Sequence, residues 1–167
     1  MIFNILSVFR ELIKPSLKYG VLSKAIKRKK IKVNIFSYSD YLNDSDRMDD
    51  KQFGGEPGMV IKYKNASKAI NAIKKSNPGT KVIFLTPKGK RLDNNLAKKM
   101  SKMGNISIIC GRYEGFDERI IEQYADLEVS IGDYIVSGGE YPAVILMDSV
   151  SRMINGVVGN KDSVKND

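Results

Sequence analysis

The stretch "SIGDYIVSGGEYPA", Ser130 to Ala143, decides how the chain folds. It leaves an apolar strand at Ile131, turns at Gly132, and enters a second apolar run, "YIVS". A glycine pair, Gly138 and Gly139, follows, and then a helix with Pro142 in its first turn. Proline suits that position because a first-turn N–H has no partner within the helix. The stretch therefore reads as strand, turn, strand, bare backbone, helix.

Working outward, the same alternation repeats along the chain. "IFNILSVF", "IKVNIFSY", "MVIKY", "KVIFLTP", "ISIIC" and "LEVSIG" read as strands, with "KVIFLTP" ended by its proline. Between them, "LIKPSLKYGVLSKAIKRKK" is helical after an early proline, and "NASKAINAIKK" is a helix capped by Asn65. "LDNNLAKKMSKM" is a helix capped by Asp93, and "DERIIEQY" is a short helix. In the last helix, Ala143, Met147, Val150 and Ile154 recur at helical spacing and face a core or a partner. Residues 39–58 form a long polar loop. Near-continuous apolar strands alternating with helices define an α/β fold, a mainly parallel sheet with helices on both faces.

In such sheets a ligand sits outside the carboxyl ends of the strands. Three glycine-bearing loops occupy that position: "TPKG" after Leu85, "GRYEG" after Cys110, and "GDY…SGGE" after Ile131 and Val136. Glycine lets a ligand lie directly against the backbone, whose N–H and C=O groups can read a flat base edge. Taken singly, each loop reads equally well as an ordinary turn.

Composition narrows the function classes. The 167 residues suit one domain, and 42% hydrophobic content supplies a core. No apolar run approaches the length of about 18 residues needed to cross a membrane. The N-terminus places apolar residues before its charges, the reverse of a secretory signal. With one cysteine, Cys110, there is no intramolecular disulfide, and a reducing, cytoplasmic location is expected. With no histidine, no metal site is expected, and Ser-His-Asp and Cys-His mechanisms are excluded.

The net charge of +9 is unevenly distributed. Residues 1–32 hold nine basic groups against one acid, and residues 62–111 hold twelve against one. Residues 33–61 hold two against six, and residues 112–148 two against nine. Basic blocks of this kind suit a polyanion, most simply nucleic acid, although a solvated lysine-rich surface has the same composition. No P-loop and no dinucleotide-binding glycine motif is present. Asp117 and Glu118 fit a helix N-terminus, and Asp49 and Asp50 fit turn chemistry. Glu114, between two glycines at a strand end, could accept from a guanine N1–H and N2–H₂. Arg152 closes the last helix, where a cation satisfies the final carbonyls.

Five segments, "MDDKQFGGEPGMV", "FLTPKG", "IICGRYEGFDERI", "SIGDYIVSGGEYPAVILMDSVSR" and "INGVVGN", together resemble the TrmD family. These are the bacterial tRNA (guanine-N1)-methyltransferases of the SPOUT superfamily. The resemblance runs in order over essentially the whole chain. It implies a deep trefoil knot, a homodimer with its active site at the subunit interface, and S-adenosylmethionine as methyl donor. Whether magnesium assists is left open. The resemblance assigns Leu85, Thr86, Pro87 and Gly89 to the first cofactor loop, and Gly111 and Tyr113 to the second. It assigns Ile131, Gly132, Tyr134, Val136, Gly138, Gly139 and Pro142 to the third. It gives Glu114 the target guanine, Arg152 the charge developing on the base, and Asp167 the role of general base. The implied reaction is methylation of N1 of guanosine at position 37 of tRNA.

Two departures accompany the match. Gln52, Phe53 and Glu56 replace the family's usual proline, tyrosine and third glycine, and Glu56 adds a charge where RNA should pass. The family also carries a C-terminal helical domain that grips tRNA, which these 167 residues lack. Residues 1–159 accordingly read as the S-adenosylmethionine-binding catalytic domain. Residues 160–167 read as the start of an interdomain linker, expected to be disordered. The expectation is cofactor binding with weak or no methylation by the catalytic domain alone.

Overall fold

A computed structural model describes residues 1–43, 46–51 and 58–158. Strands are β1 (Ile2–Ser7), β2 (Lys32–Ser37), β3 (Asp49–Lys51), β4 (Met59–Ile61), β5 (Lys81–Arg91), β6 (Asn105–Cys110) and β7 (Leu127–Ser130). Helices are α1 (Gly20–Lys27), α2 (Tyr63–Ser76), α3 (Asn94–Met100), α4 (Glu118–Tyr124) and α5 (Glu140–Arg152). Five strands form one sheet in the order β2-β1-β6-β5-β7, with every pairing parallel. The short strands β3 and β4 form a separate antiparallel ribbon.

Side chains alternate across the sheet, as the pleat requires. Ile83 and Leu85 of β5 join Phe3, Ile5, Ile106 and Ile108 in a core covered by α1, α3 and α5. Val82 and Phe84 turn the other way, joining Leu6 and Ile109 beneath α2 and α4. Burial on both faces explains why these strands are apolar throughout rather than at every second residue. Polar residues within the sheet are bonded to one another. Asn34 Nδ2 donates to Asn4 Oδ1 at 2.8 Å, and Asn4 Nδ2 donates to Asn105 Oδ1 at 2.9 Å.

Helix starts follow local chemistry in part. The Asp93 side chain accepts from the Leu96 N–H at 2.7 Å and caps α3. Ala143, Met147 and Val150 of α5 are buried in the first core, and Ile154, beyond the helix end, packs partly against it.

The structure corrects four local expectations. "YIVS" is not a strand: residues 134–137 are irregular, and Ile135 is 78% exposed. An apolar run with no neighbouring strand to pair with cannot hold extended geometry by itself. Asn65 does not cap α2. The helix begins at Tyr63 without a side-chain cap, and Asn65 Nδ2 donates to the Arg47 carbonyl at 2.8 Å instead. Residues 39–58 are not all loop, since they include a 3-10 turn at Tyr38–Tyr41 and the strand β3. Finally, β5 does not end at Pro87. Its pairing with β7 shifts between Leu85 and Lys90, so Thr86–Gly89 bulges out of the ladder and parallel pairing resumes at Lys90. Proline lacks a donor N–H and is tolerated in a strand only at such an interruption.

Candidate functional site

The carboxyl ends of β5, β6 and β7 lie side by side in the sheet, and their loops converge on one cavity of about 460 Å³. That volume is in the range of small-ligand sites. The first loop contributes Leu85, Thr86 and Pro87, and the second contributes Gly111, Tyr113 and Glu114. The third contributes Ile131, Gly132, Tyr134, Val136, Gly138 and Gly139, with Pro142 from the first turn of α5.

Four of the glycines that line the cavity, Gly111, Gly132, Gly138 and Gly139, have close neighbours. A Cβ on Gly139 would stand 2.7 Å from the Cα of Cys110, and the Gly139 N–H donates to the Gly111 carbonyl at 2.9 Å. The second and third loops are therefore in backbone contact. A Cβ on Gly138 would meet the Arg112 guanidinium, and one on Gly132 would meet the Tyr134 ring. Gly89, expected in the pocket, does not line it. It is pressed against the backbone of Glu128 and Val129, where an added Cβ would stand 2.6 Å away, and so it lets β5 pass β7.

Glu114 stands at the mouth on a constrained turn. Tyr113 before it has φ +60°, a left-handed conformation that is uncommon for a side chain of this size. The Glu114 N–H donates to the Met59 carbonyl at 3.0 Å, and the Ile61 N–H to the Gly115 carbonyl at 3.1 Å. The β3–β4 ribbon is thereby fastened to the second loop. Gly58 lies so close to Glu114 that a Cβ there would overlap the Glu114 side chain. The Lys88 ammonium pairs with Glu118 at 2.8 Å, linking the first loop to the start of α4.

Neither Cys110 nor Tyr113 offers a nucleophile. Burial drives the Cys110 thiol well above its ordinary value of 9.0, and the nearby Glu140 carboxylate pushes the same way. Partial burial also raises the Tyr113 hydroxyl above 10.0, with Asp49 adding to it. The site can bind and orient a ligand.

Arg152 lies apart from these loops. Gly139 and Pro142 place the start of α5 at the cavity, whereas Arg152 is the last residue of that helix, about 18 Å further along its axis. Asp167, Gln52, Phe53 and Glu56 lie outside the described residues, as does the expected linker 160–167. The sequence reading assigned no role to Arg112, Ser137, Ile135 or Phe116, all of which line the cavity. For Arg112 a signal existed in its placement directly after Gly111, with an acid, Glu140, opening the helix behind a glycine pair.

Comparison with known proteins agrees with this geometry. The family model described as tRNA (Guanine-1)-methyltransferase TrmD matches residues 1–167. A tRNA (guanine-N(1)-)-methyltransferase of Anaplasma marginale (strain St. Maries) is 38% identical over 165 residues, 98% of this chain and 70% of that protein. One from Francisella tularensis subsp. holarctica is 43% identical over 169 residues, 100% of this chain and 67% of that protein. The crystal structure of tRNA (m1G37) methyltransferase from Aquifex aeolicus superposes with a TM-score of 0.89 at 36% identity, covering 96% of this chain and 72% of that one. A match along the whole sequence, together with a fold that gathers the three loops at one sheet edge, establishes that the chain belongs to the tRNA (guanine-1)-methyltransferase TrmD family of enzymes, which use S-adenosylmethionine as methyl donor.

Proposed function

We propose that residues 1–159 are the catalytic domain of a methyltransferase that acts on N1 of guanosine at position 37 of tRNA. The observation that carries this reading is the convergence of three glycine-lined strand-end loops on one cavity, with Glu114 at its mouth. S-adenosylmethionine supplies a methyl group already made electrophilic by its sulfonium. The residues named for the three loops would hold it, with adenine against bare backbone at the third. The crossings at Gly89 and Gly139 are where the family's trefoil knot would be threaded.

The chain's remaining task is to expose a nucleophile. Guanine N1 carries a proton, and an aspartate within hydrogen-bond reach can remove it. Asp167 is the proposed base. Glu114 would accept from the guanine N2–H₂ and so hold the base in place, leaving the N1–H to Asp167. The Arg152 guanidinium, near O6, would offset the charge that develops as the proton leaves. A base inside a folded anticodon loop must be splayed out to reach such a pocket. The basic blocks would meet the RNA phosphates.

The placement of Arg152 supports a homodimer with its active site at the subunit interface. Arg152 stands at the far end of α5 from the cavity, a position that supports its supply by a second copy. Tyr141 and Ile145, one turn apart on α5, are 56% and 43% exposed, and Ile135 and Val136 are exposed beside the cavity. Such apolar exposure marks an interaction surface. Among the described residues no helix is long and apolar enough to cross a membrane. A tRNA substrate would place the protein in the cytoplasm.

Calorimetry with S-adenosylmethionine, then mass mapping of tRNA after single-turnover incubation, tests the reading. Cofactor binding is expected, with at most weak methylation, all of it on guanine N1 at position 37. Glu114→Gln should bind the cofactor normally and lose transfer. A methyl on another atom or nucleotide, or no cofactor binding, overturns it.

A further inference from the structure

Behind the cavity, one buried ion pair joins the second and third loops. The Glu140 side chain is fully buried, and its Oε2 pairs with Arg112 Nη2 at 2.9 Å. Its Oε1 accepts from Ser7 Oγ at 2.8 Å and from the Phe9 N–H at 3.4 Å, which anchors it to the end of β1. The same guanidinium donates through Nη1 to the Ser137 carbonyl at 2.9 Å and lies 4.7 Å over the Phe9 ring. Arg112 thus holds both ends of the segment Ser137–Glu140, one by a hydrogen bond and the other by an ion pair without hydrogen-bond geometry, and Gly138 leaves the space that its guanidinium fills.

A buried ion pair is seldom the most stable way to fill its space, because desolvating two charges offsets most of their attraction. Its use here calls for a geometric reason. Only a planar guanidinium can bond to a carbonyl and a carboxylate in two fixed directions at once. The segment it fixes, Ser137 to Gly139, forms a wall of the cavity, whereas Ser7 and Glu140 do not line it.

We propose that Arg112, Glu140 and Ser7 form a clamp that sets the spacing of the second and third loops, and that Arg112 and Glu140 act as positioning residues for S-adenosylmethionine. The clamp rests on the reading of the cavity as the site for that cofactor. Its role is to hold Gly138 and Gly139 in binding geometry before the cofactor arrives, so that binding does not have to order the two loops. It acts on cofactor affinity, and once the cofactor is bound the distance from methyl to guanine is set by other contacts.

The test compares Arg112→Lys, Glu140→Gln and Ser7→Ala with the wild type, reading cofactor affinity by calorimetry and kcat at saturating cofactor. Arg112→Lys keeps the cation opposite Glu140 but cannot bond to Ser137 as well. Affinity should fall about tenfold or more in Arg112→Lys and Glu140→Gln, and about two- to fivefold in Ser7→Ala, with KM rising and kcat within about twofold of wild type. Wild-type affinity in the folded variants, or a fall in kcat with affinity intact, overturns the clamp. Should Arg112→Lys or Glu140→Gln not fold, Ser7→Ala decides: a loss of affinity supports the clamp and wild-type affinity overturns it. A wild-type chain that binds no S-adenosylmethionine overturns the functional reading itself, and the clamp with it.

Discussion

Gly139→Ala isolates the demand for bare backbone at the site. Gly139 has φ −76° and ψ −4°, a conformation that any residue adopts. Alanine there carries no torsional penalty and gains about 0.4–1 kcal/mol by restricting the unfolded chain. Its cost is steric. The new Cβ would stand 2.7 Å from Cys110 Cα, 2.9 Å from Cys110 Cβ and 3.0 Å from Gly111 N. These atoms belong to the end of β6 and its exit, and β6 is held between β1 and β5. The start of α5 must therefore yield, by about 0.7 Å to reach ordinary contact. That stretches the Gly139 N–H to Gly111 carbonyl bond from 2.9 Å beyond useful length, losing about 1 kcal/mol. Overpacking adds about 1–3 kcal/mol, so the net destabilisation is about 1–3.5 kcal/mol. For a domain of this size the melting temperature should fall by about 2–14 °C. Because two cavity walls move apart, affinity for S-adenosylmethionine should fall about ten- to hundredfold. Scanning calorimetry and titration calorimetry read the two effects. A variant that melts within about 1 °C of wild type and binds the cofactor equally well would refute the claim that this contact requires glycine.

Two further predictions concern residues away from the cavity. Lys29 follows α1 with φ +56°, in the position where helices usually place glycine, and the Lys29 and Lys30 N–H groups close the helix on the carbonyls of Ile26 and Ala25. Lys29→Gly should therefore raise stability by about 1 kcal/mol in urea denaturation, and a loss would mean that the lysine side chain makes a stabilising contact. For Asp126, burial pushes the carboxyl up, but bonds from the Val82 N–H at 2.8 Å and the Lys81 ammonium at 2.9 Å outweigh it, leaving its pKa below 3.8. A lowered carboxyl stabilises the fold above the unfolded value, and that contribution is lost as pH falls through the folded one. Asp126→Asn should flatten the acid side of the stability profile below about pH 4, modestly because the group is partly exposed; an unchanged slope would contradict the assignment.

Legibility in the sequence followed the range of the forces involved. Strands buried on both faces declare themselves as unbroken apolar runs, so "KVIFLTP" and "ISIIC" were readable without a neighbour in view. The Asp93 cap was readable because its bond spans three residues. "YIVS" misled because composition favours a strand, while strand geometry requires a partner that the fold does not supply. Asn65 misled in a related way, since its amide is taken by the Arg47 carbonyl, eighteen positions away in the chain.

At the site, the residue types and their loops came from the sequence: glycine at three strand ends, Glu114 between two of them, and the resemblance carried by whole segments. Which glycine faces the ligand did not. Gly89 and Gly139 sit in equally plausible loops, yet one is spent on a crossing of β5 and β7 and the other lines the cavity. The Arg112–Glu140–Ser7 clamp joins residues up to 133 positions apart, and nothing local marks them as a group. Short-range preferences and burial patterns are written along the chain. Close approach and charge pairing across loops exist only once the sheet has brought its strand ends together.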